Sequence, residues 1–401
     1  MPERPRSRTR SGSDDGRQRF FSPCPRGLEE VLRAELEALG AFELDPRDGG
    51  VGFAGDFELC YAVNLRSRIA SRVLWRLAHG PYRNEDDVYR AVAALPWREH
   101  FAPERTIRVN VSASGSPLKS LDFATLRIKD AVCDRFRADS GRRPSVDTAN
   151  PDVRIHAYFD ATTLSLYLDT SGEPLFKRGL RAAAGEAPLR ENLAAGVLYL
   201  AGWAPGTPLL DPMCGGGTFL VEAAETALRR APGSRRGFAF EKLRNFDAAR
   251  WAALRGQAQA AELPPQPLPI FGSDLYGNAL KLARDNLARA GLESVVRLKQ
   301  ANALEVSAPA AAGVLVMNPP YGVRLGEQQA LADLYPRLGD ALKQRFAGWR
   351  ASIFTADLRL PKLIGLKPAR RIPLYNGALD CRLYVFELVA GSMRDGKHSK
   401  L

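Results

Sequence analysis

The chain has 401 residues, 45% of them hydrophobic, and its 57 Lys and Arg against 45 Asp and Glu give a formal net charge of +12. That length suggests two or three domains with packed cores. The five cysteines (Cys24, Cys60, Cys133, Cys214, Cys381) have no paired spacing and the four histidines are scattered. Neither a disulfide framework nor a structural zinc site is therefore expected, and the lack of any long apolar run points to the cytoplasm rather than a membrane.

Residues 1–18, rich in Arg and Ser, read as a disordered basic tail. The spacing of Leu28, Val31, Leu32, Leu36 and Leu39 predicts an amphipathic helix over 27–39, flanked by short strands around Phe20 and over 50–53. Helical character is expected to continue over 56–77, a strand over 106–112 and a helix over 126–137, and the strand 153–159 pairs naturally with 163–168. This half has no glycine loop and no carboxylate at a strand tip. It offers no chemistry of its own. The stretch 172–188 is basic and punctuated by Gly and Pro, which marks a linker.

The character of the chain then changes. The apolar strand Leu209-Leu210 ends in Asp211, Pro212-Met213-Cys214-Gly215-Gly216-Gly217 makes the turn, and an apolar-periodic helix runs from Thr218 to about residue 230. Glycines there allow positive φ and close approach of a ligand to the backbone, and the helix N-terminus points its amides at an anionic group. The G-x-G-x-x-G spacing and the Gly-Lys-Ser/Thr ending are both absent, so the turn is neither a dinucleotide fingerprint nor a P-loop. A second strand, 270–274, ends in Asp274 ahead of a helix over 279–290; a carboxylate in that place can accept both hydroxyls of a ribose. A third strand, 294–299, leads to Gln300-Ala301-Asn302-Ala303.

The fourth strand, 313–317, leads into Asn318-Pro319-Pro320-Tyr321. Proline has no N–H and a fixed φ, so the pair ends the ladder and turns the preceding carbonyls outward as acceptors. The Asn318 side-chain carbonyl adds another acceptor, and Tyr321 offers a ring for stacking. The four residues suit the holding of a planar amino group; a plain turn after a buried strand reads equally well from them alone. A helix over 328–346, a fifth strand over 351–355 and a closing hairpin of 370–375 with 382–388 complete the series. Strands alternating with helices, with polar groups at the strand tips, predict an α/β, doubly wound, mostly parallel sheet that takes a nucleoside ligand in its crevice.

Asp211-Pro-Met-Cys-Gly-Gly-Gly-Thr, Gly272-Ser273-Asp274 and Asn318-Pro-Pro-Tyr321 together resemble the class I S-adenosylmethionine-dependent methyltransferases that act on exocyclic amines. Upstream, Phe20-Phe-Ser-Pro-Cys-Pro-Arg-Gly-Leu-Glu29, Arg68-Ile-Ala-Ser-Arg72, Asn150-Pro-Asp-Val-Arg-Ile155 and Lys177-Arg178-Gly-Leu-Arg181 are similar to the bacterial 23S rRNA guanine-N2 methyltransferases that carry a THUMP domain. The resemblance implies a ferredoxin-like segment (19–60), a THUMP RNA-binding domain (61–171), the linker, a Rossmann-like methyltransferase domain (189–390) whose seven-stranded sheet has an antiparallel last strand, and a basic tail (391–401). It implies S-adenosylmethionine as cofactor, without a metal, contacted by Asp211, Pro212, Cys214, Gly215, Gly216, Gly217, Thr218, Asp274, Leu275, Asn302, Ala303 and Asn318. Asn302 stands where a carboxylate is usual, and Gly-Gly-Gly stands where Gly-Ser-Gly is usual. Asn318, Pro319, Pro320 and Tyr321 would form the catalytic motif. The implied partner is 23S rRNA or a ribosome assembly intermediate. DNA adenine-N6 methylation, tRNA guanine-N2 methylation and a non-catalytic assembly role are the alternatives. The chain ends before the 7-methylguanine domain to which some relatives are fused.

The charge is unevenly spread. Residues 1–189 carry 29 Lys and Arg against 27 Asp and Glu, while 190–401 carry 28 against 18. Pairs such as Arg229-Arg230, Arg235-Arg236 and Arg370-Arg371 are candidates to neutralise RNA phosphates at the pocket mouth, with Arg178 and Arg181 of the linker beside them.

Overall fold

The computed structural model describes residues 17–179, 189–320 and 325–389, which fold into two seven-stranded sheets. The N-terminal half runs β1 (Gln18–Pro23), α1 (Glu29–Ala38), β2 (Phe42–Arg47), β3 (Gly50–Gly55), α2 (Phe57–Arg66), β4 (Leu74–Pro81), α3 (Glu85–Ala93), α4 (Trp97–His100), β5 (Ile107–Ala113), α5 (Leu121–Ser140), β6 (Val153–Phe159) and β7 (Thr163–Asp169). Its strands lie in the order β2-β3-β1-β4-β7-β6-β5, antiparallel throughout except for β5 beside β6. Strand β4 makes this a single sheet. It pairs with β1 on one side through Phe20↔Trp75 and with β7 on the other through Trp75↔Leu168.

The expected helix over 56–77 is thereby corrected. Asp56 caps α2 by accepting from Leu59 N at 2.8 Å, the helix ends at Arg66 with Ser67 extended, and Leu74–Leu77 belongs to β4. Long-range pairing on both edges outweighs the local helical pattern there.

The C-terminal half runs α6 (Glu191–Leu200), β8 (Leu209–Asp211), α7 (Thr218–Ala227), α8 (Ala248–Ala260), β9 (Ile270–Asp274), α9 (Gly277–Ala290), β10 (Arg297–Gln300), β11 (Gly313–Met317), α10 (Leu325–Arg345), β12 (Trp349–Thr355), α11 (Leu360–Leu363), β13 (Arg370–Asn376) and β14 (Leu379–Glu387). The order is β10-β9-β8-β11-β12-β14-β13. All neighbours are parallel except β14, which runs antiparallel to β12 and β13, as expected for the last strand of this sheet class. The order reverses beside β8, so the crevice opens at the tips of β8, β9 and β11. Helix α7 sits close on the sheet because β9 carries Gly272, where a Cβ would lie 2.4 Å from Leu220 Cδ1.

The two halves share one apolar core. Gly27, at φ +91°, lies so near β13 that a Cβ would come within 2.3 Å of the Pro373 carbonyl oxygen, and the neighbouring Arg26 guanidinium lies 4.4 Å over the Tyr375 ring. Tyr61 of α2 packs on Phe240 with ring centroids 4.5 Å apart. Glu222 of α7 is fully buried and accepts from Arg68 of the N-terminal half and from Arg178 of the connecting segment.

Candidate active site at the strand tips

Four strands bring the candidate residues together. Register pairs Asp211 of β8 with Gly272 of β9, and Asp274 with Gln300 of β10; on the other side Leu210 pairs with Leu315 of β11, three residues before Asn318. The loop between β8 and α7 is tied to β9 by a backbone bond, Cys214 N donating to Ser273 O at 2.9 Å, and closes on itself through Gly217 N donating to Cys214 O at 2.7 Å. Gly215 and Gly217 have φ of +52° and +76°, a region that side chains with a Cβ disfavour. Asn286 of α9, buried, donates from Nδ2 to Gly216 O at 2.9 Å and fixes the outer limb of the loop. Pro212 opens the turn and Thr218 begins α7, whose first turn carries no acidic side chain. The N-terminal amides are left for an anionic ligand.

Asp274 is the hinge of the arrangement. Its Oδ2 accepts from Gly215 N at 2.9 Å and its Oδ1 from Tyr276 N at 3.0 Å, so one carboxylate binds the glycine loop and the start of α9. Each oxygen keeps a lone pair, enough for two ribose hydroxyls. Leu275 beside it is half-exposed, a flat apolar surface at the crevice rim. The next strand tip contributes Asn302, whose Oδ1 accepts from Leu304 N at 3.0 Å, and the buried Ala303. One Asn302 lone pair stays available.

Asp211 is buried, receives one hydrogen bond, from Met213 N at 3.1 Å, and lies in the field of Asp274. Burial first, and Asp274 second, raise its pKa from 3.8 to about 8. The folded chain therefore holds this proton where the unfolded chain has released it, and stability decreases as pH climbs from about 4 to about 8. Asp211→Asn is expected to remove that part of the slope in the unliganded protein, measured as denaturant midpoints across this pH range. A cation bound beside Asp211 has the opposite effect, because it favours the ionised form. Cys214 is buried in the same turn, and its thiol is pushed far above the usual range by burial and by Asp211 and Asp274, so it is no nucleophile at neutral pH.

At the tip of β11 the Asn318 Oδ1 is buried and meets no donor among the described residues. Pro319 is buried and Pro320 exposed. An acceptor withdrawn from water with no partner is a costly feature, and it has the form of a site waiting for a donor. Tyr321 and Arg181 lie outside the described residues.

The arginines divide differently from expectation. Arg178 is buried, with its guanidinium on Glu222 and on the Arg68 carbonyl, so it joins the two halves instead of facing RNA. Arg236 spends its donors on the carbonyls of Ser171, Glu173, Pro174 and Lys177. Arg235 pairs with Glu225 at 3.1 Å. Arg229 and Arg230 follow the C-terminal end of α7, one helix length from the glycine loop, and so are not at the pocket mouth. Arg370 and Arg371 are exposed, Arg370 donating to Leu200 O at 3.3 Å.

One feature was missed in the sequence. Beyond the tip of β12, next to β11, Asp357 is buried and receives Nε and Nη2 of Arg359 at 2.9 and 2.8 Å. The run Phe354-Thr355-Ala356-Asp357 has the same strand-then-carboxylate pattern that marks Asp211 and Asp274. Among the described residues no group of three or more His, Cys, Asp or Glu is placed to hold a metal, and no helix is long and apolar enough to cross a membrane.

Comparison with known proteins gives three family matches along the chain: an RlmL ferredoxin-like domain over 19–74, a THUMP domain over 82–169, and an RMKL-like methyltransferase domain over 178–385. A Synechocystis protein named "Putative RNA methyltransferase" is 40% identical over 370 residues, covering 92% of this chain and 96% of its own length. "Ribosomal RNA large subunit methyltransferase K/L" of Syntrophotalea carbinolica is 42% identical over 381 residues, covering 92% of this chain. The chain spans 53% of that relative's length, about half. Among solved structures, "SMU.472, a putative methyltransferase complexed with SAH" superposes with a TM-score of 0.86 at 31% identity, covering 94% of this chain and 100% of the other.

Proposed function

The chain belongs to the RMKL-like methyltransferase family, and on that premise we propose that it moves a methyl group from S-adenosylmethionine to the exocyclic N2 amine of a guanine in 23S rRNA. The observation that carries the acceptor half of this reading is the buried Asn318 Oδ1 at the tip of β11, which has no donor among the described residues. An amine with one hydrogen on Asn318 Oδ1 and the other on the Pro319 carbonyl is fixed in orientation, and its nitrogen lone pair is freed from conjugation and aimed at the methyl carbon.

The donor half rests on the residues around β8 and β9. The glycine loop and the α7 amides receive the methionyl carboxylate, Asp274 takes the ribose hydroxyls, Leu275 and Ala303 flank the adenine, and the remaining lone pair of Asn302 takes its amino group. When bound, the cofactor supplies a methyl already made electrophilic by the sulfonium charge, so the transfer requires neither metal nor covalent intermediate. Ionised Asp211 favours that positive charge. Orientation supplies most of what the protein adds: as the N–C bond forms and the S–C bond breaks, the methylated N2 becomes cationic, and because guanine N2 is scarcely basic that nitrogen gives up its extra proton to water without a dedicated base. The target base must leave its stack or come from a loop, with Tyr321 as its stacking platform.

In this reading the substrate is 23S rRNA, free or within a ribosome assembly intermediate, in the cytoplasm. Labelled cofactor offered with 23S rRNA, tRNA and duplex DNA in parallel tests it. Label is expected in 23S rRNA as N2-methylguanine; label confined to DNA adenine or to tRNA would overturn the assignment.

A further inference from the structure

Far from the strand tips, the two halves of the chain leave a cleft of ≈ 290 Å³ between the end of α2, the end of α7 and the end of α8. Arginine dominates its polar lining: Arg66 and Arg68 come from the N-terminal half, and Arg229 and Arg230 from the methyltransferase half.

Not all of its guanidinium groups are paired. Glu222 is shared by Arg68 and Arg178, and Glu225 by Arg230 and Arg235. Glu35 is occupied by Ser67 Oγ and the amides of Arg68 and Ile69, and Asp56 and Glu58, which line the neighbouring groove with Arg66, make no ion pair with it among the described residues. Arg66 and Arg229 are left over. Among the described residues neither guanidinium meets an acceptor, and the Arg66 Nε is buried without a partner. Two guanidinium groups without a direct acceptor beside a partly desolvated wall favour an anion at that place.

The carbonyls at the end of α7, which would repel an anion, are already engaged: Arg229 N takes Thr226 O, Arg230 N takes Glu225 O, and Arg68 takes the Arg230 carbonyl. Arg229 also sits at φ +55°, the left-handed position after a helix that glycine ordinarily fills.

We propose that this cleft is a second contact for RNA, taking a backbone phosphodiester between Arg66 and Arg229 at the junction of the two halves. The rest of the lining is Ala231, Pro232, Ala258, Ala261 and Thr226. Small apolar groups of this kind read neither a base nor a sugar, so the site recognises charge and positions the RNA without selecting sequence. The RNA identity of the ligand rests on the function proposed above; the anion preference rests on the cleft alone.

The test compares the whole chain with Arg66→Gln/Arg229→Asn, asparagine being tolerated at positive φ. Binding of a 23S rRNA transcript is followed between about 50 and 200 mM salt. The slope of log K against log salt is expected to become shallower by about 1 to 2, with affinity near 0.15 M about ten-fold lower. S-adenosylmethionine affinity should be unchanged, and Arg66→Lys/Arg229→Lys should restore the slope. If the double variant loses cofactor affinity through misfolding, Arg229→Asn alone, at an exposed position, carries the comparison. An unchanged slope and affinity would overturn the proposal. So would protection of the wild type, but not the variant, from thermal unfolding by inorganic phosphate while RNA binding is unaffected; that result assigns the cleft to a free anion. A wild-type chain that binds no rRNA would sink the functional reading itself, and this site's RNA assignment with it.

Discussion

Asn318→Ala is expected to lower the rate of methyl transfer by on the order of 10²- to 10³-fold while leaving S-adenosylmethionine affinity near that of the wild type. The substitution removes the acceptor that orients the amine, and it leaves untouched the glycine loop and Asp274, which lie on β8 and β9. A second consequence separates this account from a structural role for Asn318. Its Oδ1 is buried with no partner among the described residues, and such an acceptor costs roughly 1–3 kcal/mol. Removing it should therefore leave the melting temperature equal or slightly higher as activity collapses. Calorimetric titration with cofactor, a melting curve and single-turnover transfer suffice. Cofactor affinity lost together with activity would show that Asn318 acts on the donor side, and activity within a few-fold of wild type would show that it does not hold the amine.

Glu222→Ala should give the largest loss of stability of any single change outside the apolar core. Its carboxylate, on α7, is fully buried and is the counter-charge for Arg178, also buried, and for the mostly buried Arg68. Removing one member of such a cluster strands the others, at about 3–5 kcal/mol. Denaturant unfolding of Glu222→Ala, Arg178→Met and the double variant measures the coupling. The double variant is expected to be more stable than Glu222→Ala alone, because one stranded cation has gone with its partner. Additive losses would mean that the two side chains do not interact. The same cluster joins the N-terminal half to the helix that follows the glycine loop. Glu222→Ala is therefore also expected to weaken rRNA binding at temperatures where the protein remains folded.

The parts that were legible in the sequence are those written in local patterns. The turn after Asp211 could be read because glycine is the residue that takes φ of +52° and +76°, and Asp274 and Asn318 because each follows a short apolar strand. The antiparallel last strand came from the family resemblance, and the order of the strands is given by their pairing. What depended on distant partners was not legible. Strand β4 continues the chain after an amphipathic helix, and only its pairing with β1 and β7 makes it a strand. Strand β2 carries Asp45 and Pro46, poor strand formers tolerated at an edge, and it went unread. The arginines show the same limit. Arg178 and Arg229 look alike as letters, yet one is sealed against Glu222 and the other stands exposed at the mouth of a cleft. Burial and partners separate them, and neither is a property of the local sequence.

Methyl transfer to guanine N2 in 23S rRNA is read out by mass-spectrometric mapping of 23S rRNA from cells lacking this chain. One N2-methylguanine is expected to be absent, restored by the wild-type chain and not by Asn318→Ala. An unchanged guanine methylation profile in 23S rRNA, with the chain deleted and no substitute present, would contradict the account.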